Sequence, residues 1–162
     1  MVHDTKYVCM SCGAVWDGLQ IPCSHCESSN VAAVDELLCD AVSMFVRAGF
    51  VTKSCCQGGV EVGTEGYAVV SPYVVFSPLA KEKAIILVSS LDFHSSRTEL
   101  EHLSDGTYEA GVFFSRNFLD DMETSRRGWE LHAEIAEEAF AGWRKSVLDV
   151  ARMLKVMADV NV

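Results

Sequence analysis

Between Tyr7 and Glu27 the chain reads YVCMSCGAVWDGLQIPCSHCE, two Cys-x-x-Cys pairs with ten residues between them. No other stretch restricts the fold as strongly. Four thiolates at this spacing can close a tetrahedron around Zn²⁺, Cys9 and Cys12 on one knuckle and Cys23 and Cys26 on the other. Such a short ribbon has almost no core of its own, so metal binding would supply on the order of 10 kcal/mol or more of its folding free energy. Gly13 suits a knuckle turn at positive φ, and Pro22 stiffens the entry to the second pair. Val15, Trp16, Leu19 and Ile21 are expected to cover the ion.

Other chemistries use these residues too. Paired disulfides or a redox Cys-x-x-Cys would need the same thiols, but the spacing favours zinc. Pro22-Cys23-Ser24-His25-Cys26 also matches half of the zinc deaminase signature, and His132-Ala133-Glu134 matches the other half. The halves stand in reversed order, and Cys9 and Cys12 would be left without a role.

Composition bounds the rest. The chain has 162 residues, 49% of them hydrophobic, with three prolines. That is enough for one sizeable core plus a zinc appendage. Of seven cysteines, Cys39, Cys55 and Cys56 remain after the ribbon, an odd remainder that suits a reducing compartment. No apolar run reaches the length of a membrane span, and MVHDTKY lacks the basic and apolar regions of a signal peptide, so a cytoplasmic protein is expected. The formal net charge is −10. Four bound thiolates and their Zn²⁺ would bring it to about −12, which argues against nucleic acid as a partner.

Along the chain, Ser28-Ser29-Asn30 offers a cap for a helix through VAAVDELLCDAVSMFVRAG, with Arg47 in its last turn and Gly49 at its stop. Cys39 reads as a small buried filler. Strands follow at Phe50 to Cys56, Tyr67 to Val70 and Tyr73 to Phe76. Ala84 to Leu91, AIILVSSL, reads as a buried central strand. Ser96-Arg97-Thr98-Glu99 matches a capping box, which predicts a short helix carrying Leu100 and Leu103 inward. Thr107 to Ser115 returns as a strand. From Trp129 through Ala133, Ala136, Phe140, Trp143, Val147, Val150 and Leu154 to Met157, apolar residues recur at alternating spacings of four and three, a heptad stripe on one long helix. The predicted class is α+β, a small, mostly antiparallel sheet with flanking helices. It divides into a zinc ribbon at residues 1–28, an α+β domain at 29–125 and a long C-terminal helix at 126–162, packed on the domain and on a second copy.

The segment Gly49-Phe50-Val51-Thr52-Lys53-Ser54-Cys55-Cys56-Gln57-Gly58-Gly59, with the helix before it and the later Tyr73-Val74-Val75-Phe76 strand, resembles small uncharacterised phage and bacterial proteins. In those a helix ends in Gly, a strand follows, and Ser-Cys-Cys-x-Gly-His comes next. More remotely it is similar to the tRNA wybutosine methyltransferase family, whose corresponding strand runs Ser-Ser-Cys-Ser-Gly-Arg. Here Gly59 stands where those relatives carry His or Arg. The first resemblance implies a phage accessory or host-takeover role, the second an RNA-modification role.

Physically, Cys55, Cys56, Gly58 and Gly59 can present thiols or backbone N–H groups to a ligand, or simply form a tight turn. His94 and His102 are candidates to join Cys55 or Cys56 in a second metal site or a Cys-His pair. Carboxylates such as Asp120, Asp121, Glu123, Glu134 and Glu138 read as solvated faces. Two functions remain open: a non-enzymatic zinc protein docking on a protein partner with a basic surface, and an enzyme or RNA-modification factor working at the Cys55–Gly59 turn. From charge alone, affinity for RNA or DNA should be micromolar or poorer at physiological salt and fall steeply as salt rises. Fluorescence anisotropy across a salt series checks this, and a tight, salt-insensitive complex would overturn it.

Overall fold

The computed structural model describes residues 2–115 and 126–161, and the side chain of Trp129 and the carboxylates Asp120, Asp121 and Glu123 lie outside what is described. The class is α+β, with three antiparallel sheets and three α-helices among the described residues. Strands β1 (Thr5–Cys9), β2 (Val15–Trp16) and β3 (Val31–Asp35) form the first sheet, in the order β2-β1-β3. A 3-10 turn, Glu36–Leu38, leads into helix α1 (Cys39–Arg47). Next come β4 (Thr52–Cys56), β5 (Gly59–Val62), β6 (Tyr67–Val70) and β7 (Tyr73–Phe76), then helix α2 (Lys81–Ser90), β8 (Ser96–His102), β9 (Tyr108–Phe114) and the long helix α3 (Arg126–Val160). The main sheet runs β4-β7-β9-β8, and β5-β6 is a separate hairpin.

One core joins these layers. Val74 and Phe76 from β7 and Ala110, Val112 and Phe114 from β9 point to the same side of the main sheet and are buried with Phe45 of α1, Leu87 of α2 and Phe140 and Trp143 of α3. The alternation along β9 is what a strand with one covered face requires. Ring pairs Phe45–Phe76 and Phe114–Phe140, each with centroids 4.9 Å apart and nearly perpendicular, lock α1 and α3 onto the sheet.

Three sequence expectations are corrected. The helix expected from residue 31 begins only at Cys39, because Val31–Asp35 pairs residue for residue with Thr5–Cys9. The helical period survives from Leu38 onward, where Leu38, Ala41, Val42, Phe45 and Val46 are buried. The expected central strand at 84–91 is helix α2, which buries Ala84, Leu87 and Leu91 against the sheet and leaves Ile85 and Ile86 exposed. A continuous apolar run fits either element, and here β7 and β9 occupy the interior positions in the sheet. The expected helix at 96–103 is strand β8. Ser96 spends its hydroxyl on the α2–β8 turn, donating to the Leu91 carbonyl at 2.5 Å and accepting the Phe93 N–H at 3.0 Å, so it cannot cap a helix. Leu100 is accordingly exposed.

Helix α3 exists as expected, but its buried stripe is not a heptad. His132, Ala136, Phe140, Trp143, Val147, Ala151 and Leu154 face the core. Their spacings run four, four, three, which averages about 3.67 residues per turn, close to a straight helix, whereas a 3.5 repeat would drift around the axis. Val150 is half-buried and Met157 exposed as a result. Gly142 sits inside this helix with no atom within 4 Å of where a Cβ would lie. Gly142→Ala should therefore raise stability by about 1 kcal/mol through helix propensity, while Phe140→Ala should cost about 3–5 kcal/mol. Urea midpoints of the two variants against wild type measure both.

Candidate metal centre

The four ribbon cysteines converge. Cys9, Cys12, Cys23 and Cys26 bring their sulfurs together in one group. Cys9 and Cys26 are 3.6 Å apart, and Cys12 and Cys23 are 3.8 Å apart. Four thiolates bound at 2.3 Å to a tetrahedral ion stand about 3.8 Å from one another, so these two spacings match a tetrahedral metal site. The arrangement is compatible with a zinc ribbon.

The backbone builds both halves by one rule. In the first knuckle the Cys9 carbonyl accepts the Gly13 N–H and the Cys9 N–H reaches the Ala14 carbonyl, each at 2.9 Å. In the second the Cys23 carbonyl accepts the Glu27 N–H at 2.8 Å and the Cys23 N–H reaches the Ser28 carbonyl at 2.9 Å. The residue that turns each knuckle has positive φ, 75° at Gly13 and 60° at Glu27. Only the first must be glycine for space as well, since a Cβ there would lie 2.8 Å from the Ser43 carbonyl and from Cγ of Arg47 on α1. Ser43 donates its hydroxyl to the Gly13 carbonyl at 2.5 Å, which seats the first knuckle on α1. Burial raises the Cys9 thiol, but the N–H groups of Cys12 and Ser11 and the Cys26 thiol outweigh it and bring Cys9 below the ordinary thiol range. Amides aimed at sulfur prepare it for a cation.

The expected cover of the site is corrected. Leu19 is 68% exposed and Ile21 54%, and Val15 is exposed as well. Leu19 and Ile21 lie on the link between the knuckles and project outward, whereas Val15 pairs with Val8 of β1, and Trp16, the fourth residue expected to cover the ion, is half-buried. Cys9 is buried where β1 pairs with β3 and the first knuckle sits on α1, and Cys23 is buried within its own knuckle against Cys12.

The Cys55–Gly59 turn is tied into its own protein. Cys55 faces inward from β4 and packs against the core, with burial first and then Asp35 pushing its thiol up to about 12. Cys56 is raised in the same direction, by burial and by Asp35. Gly58 has φ 74°, and a Cβ there would lie 2.7 Å from Pro72, so its close approach serves Pro72 and Val70. Gly59 is buried and opens β5 opposite Val70. His102 ends β8, stacked on Tyr108, and His94 lies in the turn before that strand. The sheet places β4 and β8 on opposite edges, roughly 14 Å apart across three strand spacings, so neither histidine joins Cys55 or Cys56.

Cys56 instead meets His3 and Asp35, a grouping that no local spacing in the sequence announces. Arg144 of α3 donates to the Gln57 carbonyl at 2.7 Å, and Glu137 accepts the Val60 N–H at 2.9 Å, so α3 holds this turn from behind.

Because only the thiolate attacks an alkylating reagent, Cys55 should react with iodoacetamide at pH 8 roughly 1,000-fold more slowly than an ordinary thiol. Its rate should climb about tenfold per pH unit through neutral pH. Peptide-resolved mass spectrometry reads this, and alkylation at the ordinary rate would contradict it. No family model, curated protein or solved structure matches this chain.

Proposed function

We propose that the protein is a zinc-binding, non-enzymatic docking protein, with Zn²⁺ on Cys9, Cys12, Cys23 and Cys26 and α3 pairing with a second copy. The observation that carries this reading is that two groups of large apolar side chains are left in solvent, one at the ribbon tip and one along the outer flank of α3. At the tip, Leu19 and Ile21 stand beside the exposed Asp17. Apolar knobs with an acidic neighbour on a chain of net charge −10 suit a protein surface with an apolar hollow and basic rim. The rival reading, an enzyme or RNA-modification factor using the Cys55–Gly59 turn, needs a thiolate at neutral pH. Burial and Asp35 raise both thiols above the ordinary range, which disfavours that thiolate in the metal-free turn.

The α3 flank lies roughly 100° around the helix from the buried stripe. Leu131 and Ile135 are exposed near its start, Met153, Met157 and Val160 near its end, and the open Gly142 lies between. An antiparallel second copy with its two-fold axis at Ser146 sets Ile135 against Met157, Ala139 against Met153 and Gly142 against Val150, small residues facing large ones. Lys145 and Arg152 are paired with Asp149 along the helix itself, so charge beside this flank is balanced within each chain. No helix among the described residues is long and apolar enough to cross a membrane.

Metal analysis should return zinc, and Cys23→Ser should lose it from the ribbon; full retention would refute the zinc assignment. Leu19→Ser/Ile21→Ser should abolish capture of a specific protein that the wild type retains while leaving metal content unchanged. Sedimentation should report a dimer at micromolar concentration that Gly142→Glu and Met153→Asp convert to monomer, neither side chain being in the core. A wild-type monomer at high concentration would remove the dimer from this reading.

A further inference from the structure

The geometry points to a second metal site, separate from the ribbon, in which His3, Asp35 and Cys56 bind a divalent ion of the zinc class with one coordination position left open. Ligand atoms of the three residues all lie within 4.8 Å of one another. In a tetrahedral site with bonds of 2.0–2.3 Å, neighbouring ligands stand about 3.5 Å apart. Closing that difference is a matter of side-chain rotation, and each of the three is half-buried rather than packed in place.

The donor set selects the ion. One imidazole nitrogen, one thiolate and one carboxylate are too soft for Mg²⁺ or Ca²⁺ and too oxygen-rich for Cu⁺, but match zinc-class ions, and three protein ligands with an open fourth position is the pattern that leaves room for water. On binding, Cys56 gives up its proton to solvent, and the negative charges of Cys56 and Asp35 balance the dication.

An outer layer is already built around the cluster. Gln57 donates its backbone N–H to Asp35 Oδ2 at 2.9 Å, its side-chain nitrogen lies 3.1 Å from His3 Nδ1, and its side-chain oxygen accepts the Leu37 N–H at 3.1 Å. The Gly58 N–H points at the Cys56 sulfur, 3.5 Å away. One residue therefore touches two of the three proposed ligands and is itself held by Arg144. Such outer-layer hydrogen bonds orient metal ligands and tune their affinity.

Titration of metal-free, reduced protein with cobalt(II) chloride tests this, thiolate-to-cobalt absorption reporting sulfur ligation. The wild type is expected to take about two ions per chain and His3→Ala and Cys56→Ala about one, whereas Cys23→Ser should lose the ribbon ion and keep the other. Gln57→Ala should weaken the second ion roughly tenfold. His3 lies near the start of the chain and outside the core, so its variant keeps the assay valid if Cys56→Ala proves unstable. Hydrogen exchange at residues 2–4 should slow when the second ion binds. Saturation at one ion in the wild type, or two ions retained in both His3→Ala and Cys56→Ala, overturns the proposal, and in either case the ribbon's own zinc is judged separately by Cys23→Ser.

Discussion

A short antiparallel ladder, Thr5–Cys9 against Val31–Asp35, is the constraint on which the rest of the structure depends. It brings the start of the chain beside a segment that leads straight into α1. At one end the ladder delivers Cys9 to the ribbon cluster, and at the other it delivers Asp35 to the neighbourhood of Cys56. Val8 and Met10 from this region belong to the main core with Val34, so the ladder is anchored by apolar burial as well as by backbone hydrogen bonds. That burial compensates for the smallness of the ribbon, whose own loops carry few inward-facing side chains.

The long helix then organises the other side. Its stripe of buried residues advances at the natural period of a straight helix, which keeps one face on α1, with Phe140 reaching Phe114 of the main sheet and His132 meeting Tyr67 of β6. The β5-β6 hairpin closes on another side of the helix through the Glu137 contact with Val60. What remains is a flank with apolar ends and a narrow centre, continuous because neither the sheet nor the hairpin reaches it.

Much of this was legible in the sequence, and the failures share a cause. The cysteine pairs announce their geometry because covalent spacing and metal chemistry restrict them locally. Tyr67–Val70 and Tyr73–Phe76 were legible as strands because turn residues bound them on both sides. Val31–Asp35, AIILVSSL and Ser96–His102 were misread because each pattern fits two elements: pairing with the distant β1 decided the first, packing against the sheet the second, and the adjacent α2–β8 turn, which takes the Ser96 hydroxyl, the third. The heptad on α3 was a coincidence of abundant alanines and valines with a real helical period, and only the packing distinguishes a 3.5 repeat from one near 3.67. The grouping of His3 and Asp35 with Cys56 was illegible for the same reason, since three separate segments meet there.

Arg144 gives the molecule a lever. Its guanidinium, half-buried and with its pKa lowered by that burial, reaches from α3 to the carbonyl of Gln57, the residue that also contacts Asp35 and His3. Through one hydrogen bond α3 is thus connected to the residue that contacts two side chains on the far side of the turn, and a rotation of the helix about its axis would bear on both. Whatever occupies the outer flank of the helix and whatever binds beside Cys56 would sense each other in equal measure, because thermodynamic linkage between two sites runs in both directions.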